Sequence, residues 1–302
     1  MKAAVHIPDG FLSTPVWTTL DAVAAPTVVL IVRRAQAGFE ESKVPLLGVM
    51  GAFVFAAQMI NFPVGIGTSG HLVGAALLAC TLGPAAASVV MAAILAIQAL
   101  VFQDGGILAL GANMLNMAVA GVFAGYLPFH LWGNSRGRRL AIFSSGALSL
   151  LASAVLALSE LLISGVRMPG SVLGVSLGLF AVSALLEGAI TLAVIEALEK
   201  IQPGFVRRPV AGKSLAFGAI ALMAVLLAGV GVLLAATTPD GIQKLGLETG
   251  IAGRGHALIS TPLSGYEVSF LRAEWPRKAG AGLAGLGLIY GACALIGRGR
   301  RK

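Results

Sequence analysis

The sequence predicts an all-α polytopic membrane protein, and its composition is the main reason. Hydrophobic residues make up 57% of the 302 residues, charged residues make up only 11%, and the mean hydropathy is +0.90. An ordinary soluble domain carries about 25% charged residues. The 40 glycines agree with this prediction, because helices that meet inside lipid favour small residues at their contacts.

Apolar runs along the chain indicate the number of helices. A helix that crosses a membrane needs about 20 apolar residues. Eight runs are of roughly this length: 16–32, 44–61, 84–103, 109–128, 140–163, 174–196, 213–236 and 279–297. A ninth run, 71–82, is too short to cross upright, and we expect a short, tilted or partly re-entrant helix that starts at His71. The sequence therefore predicts a seven-helix core followed by two additional C-terminal transmembrane helices.

Basic residues indicate how the chain is oriented and divided. With run 71–82 counted as crossing, fourteen of the 21 Lys and Arg residues fall on one side, which the positive-inside rule assigns to the cytoplasm. The N-terminus is then extracytoplasmic and the C-terminus cytoplasmic. The chain divides into residues 1–201, a basic cytoplasmic linker 202–212, and residues 213–302, whose two helices flank an extracytoplasmic loop 237–278.

Two histidine motifs point to a metal site. His6 lies in HIPDGFLS (6–13) near the amino end, and His71 lies in GTSGHLVG (67–74). The orientation places both on the outer face, although it was assigned without them. Histidine is the commonest metal ligand, and an ionisable group at membrane depth is a functional candidate. We therefore predict that His6 and His71 are two halves of one metal site.

The amino end can supply further nitrogen ligands. A histidine in the second position chelates through its ring, the terminal amine and the deprotonated amide between them. Such a planar set leaves one position for His71 and selects Ni(II) or Cu(II). His6 is sixth in the written sequence, so this chelate requires Val5 to be the initiating residue. The alternative is that the longer start is real and that His6 binds through its ring alone, or not at all.

Four polar residues are expected to surround these ligands. Asp9 lies in the turn signature Pro8-Asp9-Gly10, where it either orients a histidine ring or bonds its own turn. Asn113 and Asn116 lie one turn apart on one helix face and either hold the inserted N-terminal segment or join two helices. Ser69 lies two residues before His71, in a glycine-flanked stretch that leaves the site open.

The sequence excludes several other classes of protein. The basic residues lie in short loops without interleaved aromatic residues, so nucleic-acid binding is not expected. A His-Glu-x-x-His zinc-protease motif is missing, and the stretch before Ser214 lacks the first glycine of a phosphate-binding loop. Cys80 and Cys293 lie in apolar runs and are interpreted as small buried hydrophobic residues. We therefore predict neither an enzyme nor a catalytic cofactor.

The motifs at 6–13 and 67–74, together with GANMLNM at 111–117, resemble the substrate-binding membrane component of energy-coupling factor nickel/cobalt transporters, the NikM/CbiM family. The resemblance implies a seven-span core with an outward N-terminus and a metal held by Val5, His6 and His71. It also implies a transmembrane coupling protein and two cytoplasmic ATPases as partners. The last part of the chain looks like the fused NikN/PDGLE-type partner subunit, since PDGIQ at 239–243 is similar to its Pro-Asp-Gly-Leu-Glu motif.

The resemblance favours a cell-membrane permease that imports Ni(II), because such fused partners are more typical of nickel systems. The same role for Co(II), feeding cobalamin biosynthesis, is the close alternative. An ion-coupled secondary carrier or channel would need a continuous chain of intramembrane acids, for which Glu160 and Glu187 give thin support. A membrane-bound metal sensor or assembly factor would need a cytoplasmic effector domain, for which the sequence shows no candidate segment.

Overall fold

The computed structural model describes residues 6–37, 43–206, 214–236 and 238–298. Two sequence predictions lie wholly or partly outside these ranges. One is the initiating role of Val5, and the other is the linker 202–212, of which only residues 202–206 are described.

Long helices dominate the described part of the chain. In chain order, the helices are α1 (Thr14–Ala37), α2 (Val44–Gln58), α3 (Ala75–Leu82), α4 (Pro84–Phe102), α5 (Leu110–Trp132), α6 (Arg138–Ile163), α7 (Gly170–Ile201), α8 (Leu215–Leu233), α9 (Gly241–Glu248) and α10 (Glu274–Arg298). Seven helices among the described residues are long and apolar enough to cross a membrane. The predicted all-α polytopic membrane fold is confirmed.

Helix α2 is shorter than its predicted span, 44–61. It has 15 residues and ends at Gln58, so it is about 22 Å long, shorter than a hydrocarbon layer of about 30 Å. Almost all of its side chains are buried, because α4, α8 and α10 pack around it. Helix α2 therefore contacts mainly other helices of the protein.

The segment before α3 corrects the prediction that a helix starts at His71. The helix begins only at Ala75, after Gly74, whose φ of 75° is left-handed and suits glycine. The predicted loop 61–70 contains a small antiparallel hairpin of β1 (Phe62–Gly65) and β2 (Thr68–Gly70). His71 therefore lies in an irregular segment between a strand and a helix.

Glycines allow the helices of the bundle to approach closely, as the composition predicts. A Cβ atom on Gly146 of α6 would lie 2.7 Å from the carbonyl oxygen of Glu187 on α7. A Cβ atom on Gly285 of α10 would lie 2.2 Å from the Phe55 ring of α2. Helices from residues 213–302 therefore share a core with α2, and the division of the chain at the linker remains a prediction.

Candidate metal centre

The N-terminal segment 6–12 folds into one end of the helical bundle. His6, Ile7, Phe11 and Leu12 are all buried. The segment turns where it was predicted to turn, with the Phe11 N–H donating to the Pro8 carbonyl at 3.4 Å and Gly10 at a φ of 86°. The turn therefore brings the chain from buried His6 back to the start of α1.

Backbone and side-chain hydrogen bonds fix the residues around His6. The Asn113 amide accepts from the Ile7 N–H at 2.8 Å and donates to the Ile7 carbonyl at 3.1 Å. The same carbonyl accepts from the Gly106 N–H at 2.8 Å. The Asp9 carboxylate accepts from the N–H groups of Ile107 and Leu108 at 3.0 and 2.7 Å. The N-terminal segment is therefore tied to α5 and to the loop before it.

Helix α7 and helix α2 hold the segment that carries His71. The Glu187 carboxylate accepts from the N–H groups of Val73 and Gly74, each at 2.8 Å, which otherwise lack partners at a helix start. The Gln58 amide donates to the Val73 carbonyl at 2.7 Å. These bonds fix the backbone two and three residues beyond His71.

The two predicted ligands face each other inside the protein. The rings of His6 and His71 have centroids 5.6 Å apart, at an interplanar angle of 56°, and each residue is only 1% exposed. Neither ring nitrogen of His6 has a hydrogen-bond partner among the described residues. Since nearly all buried polar groups are hydrogen-bonded, these two nitrogens are candidates for binding an added ligand.

The chemical state of His71 suits a metal ligand. Its Nδ1 donates to the Leu72 carbonyl at 2.7 Å, so the lone pair of the neutral ring lies on Nε2. Burial, and then the neighbouring His6, lower the pKa of His71 to about 4. The ring is therefore neutral near pH 7, the form that binds metal.

Asp104 and Tyr266 also belong to this centre, and the sequence analysis missed both. Asp104 is 7% exposed, and its Oδ1 lies 3.6 Å from Nδ1 of His6. Its Oδ2 accepts a hydrogen bond from the Tyr266 hydroxyl. The sequence offers a signal for Asp104, because it directly follows the predicted span 84–103 and precedes two glycines. Tyr266 gave none, since it lies in a long polar loop.

The four residues predicted to surround the ligands have different partners. The Asp9 carboxylate accepts hydrogen bonds from the backbone N–H groups that precede α5. Among the described residues, it bonds neither a histidine ring nor the backbone of its own turn, the two partners expected for it. Of the two asparagines, Asn113 holds the N-terminal segment, whereas Asn116 joins helices by donating to Glu160 at 2.8 Å. The Ser69 hydroxyl donates to the Thr238 carbonyl at 2.7 Å. Ser69 therefore attaches the hairpin to the C-terminal loop.

Groups of side chains that could hold a metal on their own do not occur in the described ranges. No cluster of three or more His, Cys, Asp or Glu residues suited to an ion is found there. His130 and His256 are both exposed. A metal at His6 and His71 would therefore draw its remaining ligands from the backbone, the amino end or water.

The helical bundle and the buried imidazole pair define a polytopic membrane protein with a candidate cation site near one end. The profile of the CbiM family, described as a cobalt uptake substrate-specific transmembrane region, matches residues 6–205. This match spans well over half of the chain, which therefore belongs to the CbiM family. The resemblance stated from the motifs is confirmed.

Three relatives illustrate the similarity. A putative metal transport protein of Haloquadratum walsbyi is 39% identical over 67% of this chain and 93% of its own length. A putative fused nickel transport protein, NikMN, of Archaeoglobus fulgidus is 35% identical over 72% of this chain and 74% of its own length. A cobalt transport protein, CbiM, of Acetoanaerobium sticklandii is 31% identical over 66% of this chain and 86% of its own length.

Two solved structures have the same fold. The crystal structure of a truncated transition metal transporter matches with a TM-score of 0.57 and 33% identity, over 65% of this chain and 98% of that one. A second transition metal transporter matches with the same TM-score and identity, and 93% of that chain is covered. The chain is a component of a metal uptake system and not an enzyme.

Proposed function

We propose that this chain is the substrate-binding permease of an energy-coupling factor transporter that imports Ni(II). One observation supports the proposal most directly: a fully buried His6 ring, without hydrogen-bond partners among the described residues, faces the ring of His71 with 5.6 Å between centroids. Two imidazoles that face each other in a buried site suit a first-row divalent ion.

The remaining ligands are proposed to come from the amino end. With Val5 as the first residue, its amine, the amide of His6 and the ring of His6 supply three nitrogens in one plane. Nε2 of His71 supplies the fourth. Deprotonation of the amide also reduces the net charge of the bound ion, which is important because an uncompensated charge is very costly to bury.

Family membership supports the rest of the proposed transporter. Residues 1–201 are the metal-binding core, and residues 213–302 are a NikN/PDGLE-like unit joined by the linker 202–212. The N-terminus lies outside the cell membrane and the C-terminus lies in the cytoplasm, where two ATPases act through a transmembrane coupling protein. The imbalance of Lys and Arg between the two sides supports this orientation.

Co(II) in the same role is a second candidate, favoured by relatives named as cobalt transport proteins. The ligand chemistry favours Ni(II), which binds nitrogen sites more tightly than Co(II) does. An ion-coupled carrier has less support, because the two intramembrane acids bond separate partners. Glu160 accepts from Asn116, and Glu187 accepts from the backbone at Val73 and Gly74.

The test is metal analysis of the full chain purified in detergent. We expect about one equivalent of Ni(II) bound to the wild type, and loss of that equivalent in His6→Ala and His71→Ala. His130→Ala is the matched control, because His130 is exposed at the end of α5, and it should retain the metal. Undiminished Ni(II) in His6→Ala would refute the site, and mass spectrometry of the intact N-terminus tests the role of Val5.

A further inference from the structure

Asp104 lies between the histidine pair and the outside of the protein. Its Oδ1 is 3.6 Å from Nδ1 of His6 and has no hydrogen-bond partner within the described ranges. The same residue lines a surface cleft, together with Asp9 and His256. Since the Asp9 carboxylate already accepts two backbone N–H groups, Asp104 is the acid in this cleft with an unsatisfied oxygen.

Tyr266 holds Asp104 in this position from the C-terminal loop. Its ring stacks on Phe102, with centroids 4.8 Å apart and an interplanar angle of 14°, and its hydroxyl donates to the other oxygen of Asp104. Burial, and then the Asp104 carboxylate, raise the pKa of Tyr266 well above its ordinary value. The tyrosine therefore remains a donor, and it leaves Oδ1 of Asp104 directed toward His6.

The backbone conformation is unusual at Tyr266 and at Gln103, the residue before Asp104. Tyr266 and the residue before Asp104, Gln103, are the two non-glycine residues with positive φ in the described ranges, at 61° and 55°. Such conformations are uncommon outside glycine and often occur at functional sites. Gln103 also donates to the Ile259 carbonyl, so the C-terminal loop contacts the same turn twice.

This inference rests on the proposed function. We propose that the divalent cation passes from the outer cleft to His6 and His71 by way of the Asp104 carboxylate. The cation is then retained beside this carboxylate. Tyr266 is its positioning residue. A carboxylate close to the site offsets the charge of a dication in a medium of low dielectric constant, and a cleft lined by acids raises the local concentration of cations. The loop 238–273 thereby contributes to metal binding through Tyr266.

The test compares Asp104→Asn, Tyr266→Phe and the double variant, each as the full chain, by calorimetric titration with Ni(II) alone. We expect Asp104→Asn to weaken binding by roughly 10–100-fold, as loss of groups around metal ligands commonly does. Tyr266→Phe should weaken binding by less, because the carboxylate is still present. The double variant should bind no more weakly than Asp104→Asn, since Tyr266 acts only through Asp104.

Two controls separate this role from a structural one. Asp21→Asn removes an acid whose hydrogen bond, to the Gly111 N–H, asparagine can also accept, and Tyr126→Phe removes a hydroxyl on α5. Both should leave Ni(II) affinity unchanged. The unfolding midpoint of the metal-free protein should also be similar in Tyr266→Phe and wild type, because phenylalanine retains the stacking on Phe102.

The outcomes distinguish this inference from the proposed function. If the wild type binds Ni(II) and His71→Ala does not, unchanged affinity in Asp104→Asn refutes the role of Asp104 and leaves the proposed function intact. If Tyr266→Phe lowers the unfolding midpoint of the metal-free protein and leaves its affinity for Ni(II) unchanged, the positioning role of Tyr266 is refuted. A wild-type chain that binds no Ni(II) refutes both.

Discussion

Asn113 holds Ile7 through both ends of its side-chain amide, which accepts from the Ile7 N–H and donates to the Ile7 carbonyl. Ile7 directly follows His6, so this pair of bonds fixes the position of the first predicted ligand. Asn113→Leu should therefore release the N-terminal segment. Two buried hydrogen bonds of about 1 kcal/mol each correspond to a loss of roughly thirtyfold in Ni(II) affinity, measurable by calorimetric titration.

The neighbouring asparagine is the control for this prediction. Asn116→Leu removes a bond to Glu160 on α6 and should lower the unfolding midpoint with little change in Ni(II) affinity. Equal losses of affinity in the two variants would contradict a specific role for Asn113.

Gly106→Ala should disrupt the site by steric overlap. A Cβ atom on Gly106 would lie 2.4 Å from Oδ1 and 2.5 Å from the backbone nitrogen of Asp9, so the N-terminal segment must move. We expect Gly106→Ala to lose most of its retained Ni(II), as measured by elemental analysis. Gly178→Ala is the matched control, because its Cβ would meet nothing within 4 Å. Full retention of metal in Gly106→Ala would show that the segment does not need this contact.

Glu187→Ala should destabilise the protein near His71. It would leave the N–H groups of Val73 and Gly74 without their acceptor, at a cost of about 1–3 kcal/mol for each buried group. We expect the thermal unfolding midpoint to fall by several degrees and Ni(II) binding to weaken. Glu196→Ala, on the same helix, removes a largely exposed ion pair with Arg139 and should change stability by at most about 1 kcal/mol. A midpoint in Glu187→Ala as high as in Glu196→Ala would argue against the capping role.

Metal removal should lower the stability of the protein. A ligand that binds only the folded state, at about 100 times its dissociation constant, adds about 2.7 kcal/mol to the free energy of unfolding. We expect Ni(II) to raise the unfolding midpoint of the wild type and a chelator to reverse this increase. His71→Ala should show no such increase, and a metal-dependent shift of wild-type size in that variant would locate the ion elsewhere.

The span predictions agree well with the observed helices that are long enough to cross a membrane. The predicted run 140–163 corresponds to Arg138–Ile163, and 84–103 corresponds to Pro84–Phe102. Hydrophobic runs mark such helices because every backbone polar group inside lipid must be satisfied within the protein. The run 44–61 was predicted to cross the membrane, but its helix, Val44–Gln58, is shorter than the seven candidate spans in the described ranges.

The candidate site was predicted in part. His6 and His71 were found because their side-chain chemistry is rare in this chain, which has only 4 histidines. Asn113 and Asn116 were left with two interpretations each. The sequence shows which residues share a helix face, but it does not show which element packs against that face. The contact between Asp104 and Tyr266 joins residues 162 positions apart, and no local pattern specifies such a pair.

The sequence by itself determined the membrane class, most of the helices and the two imidazoles, because hydropathy and side-chain chemistry are properties of residues. The tertiary structure alone decided that His71 precedes its helix, that Asn113 holds the N-terminal segment, and that Tyr266 reaches Asp104 beside His6. These features depend on which surfaces meet when the chain folds. They arise from packing and hydrogen bonding between segments that are distant in the sequence.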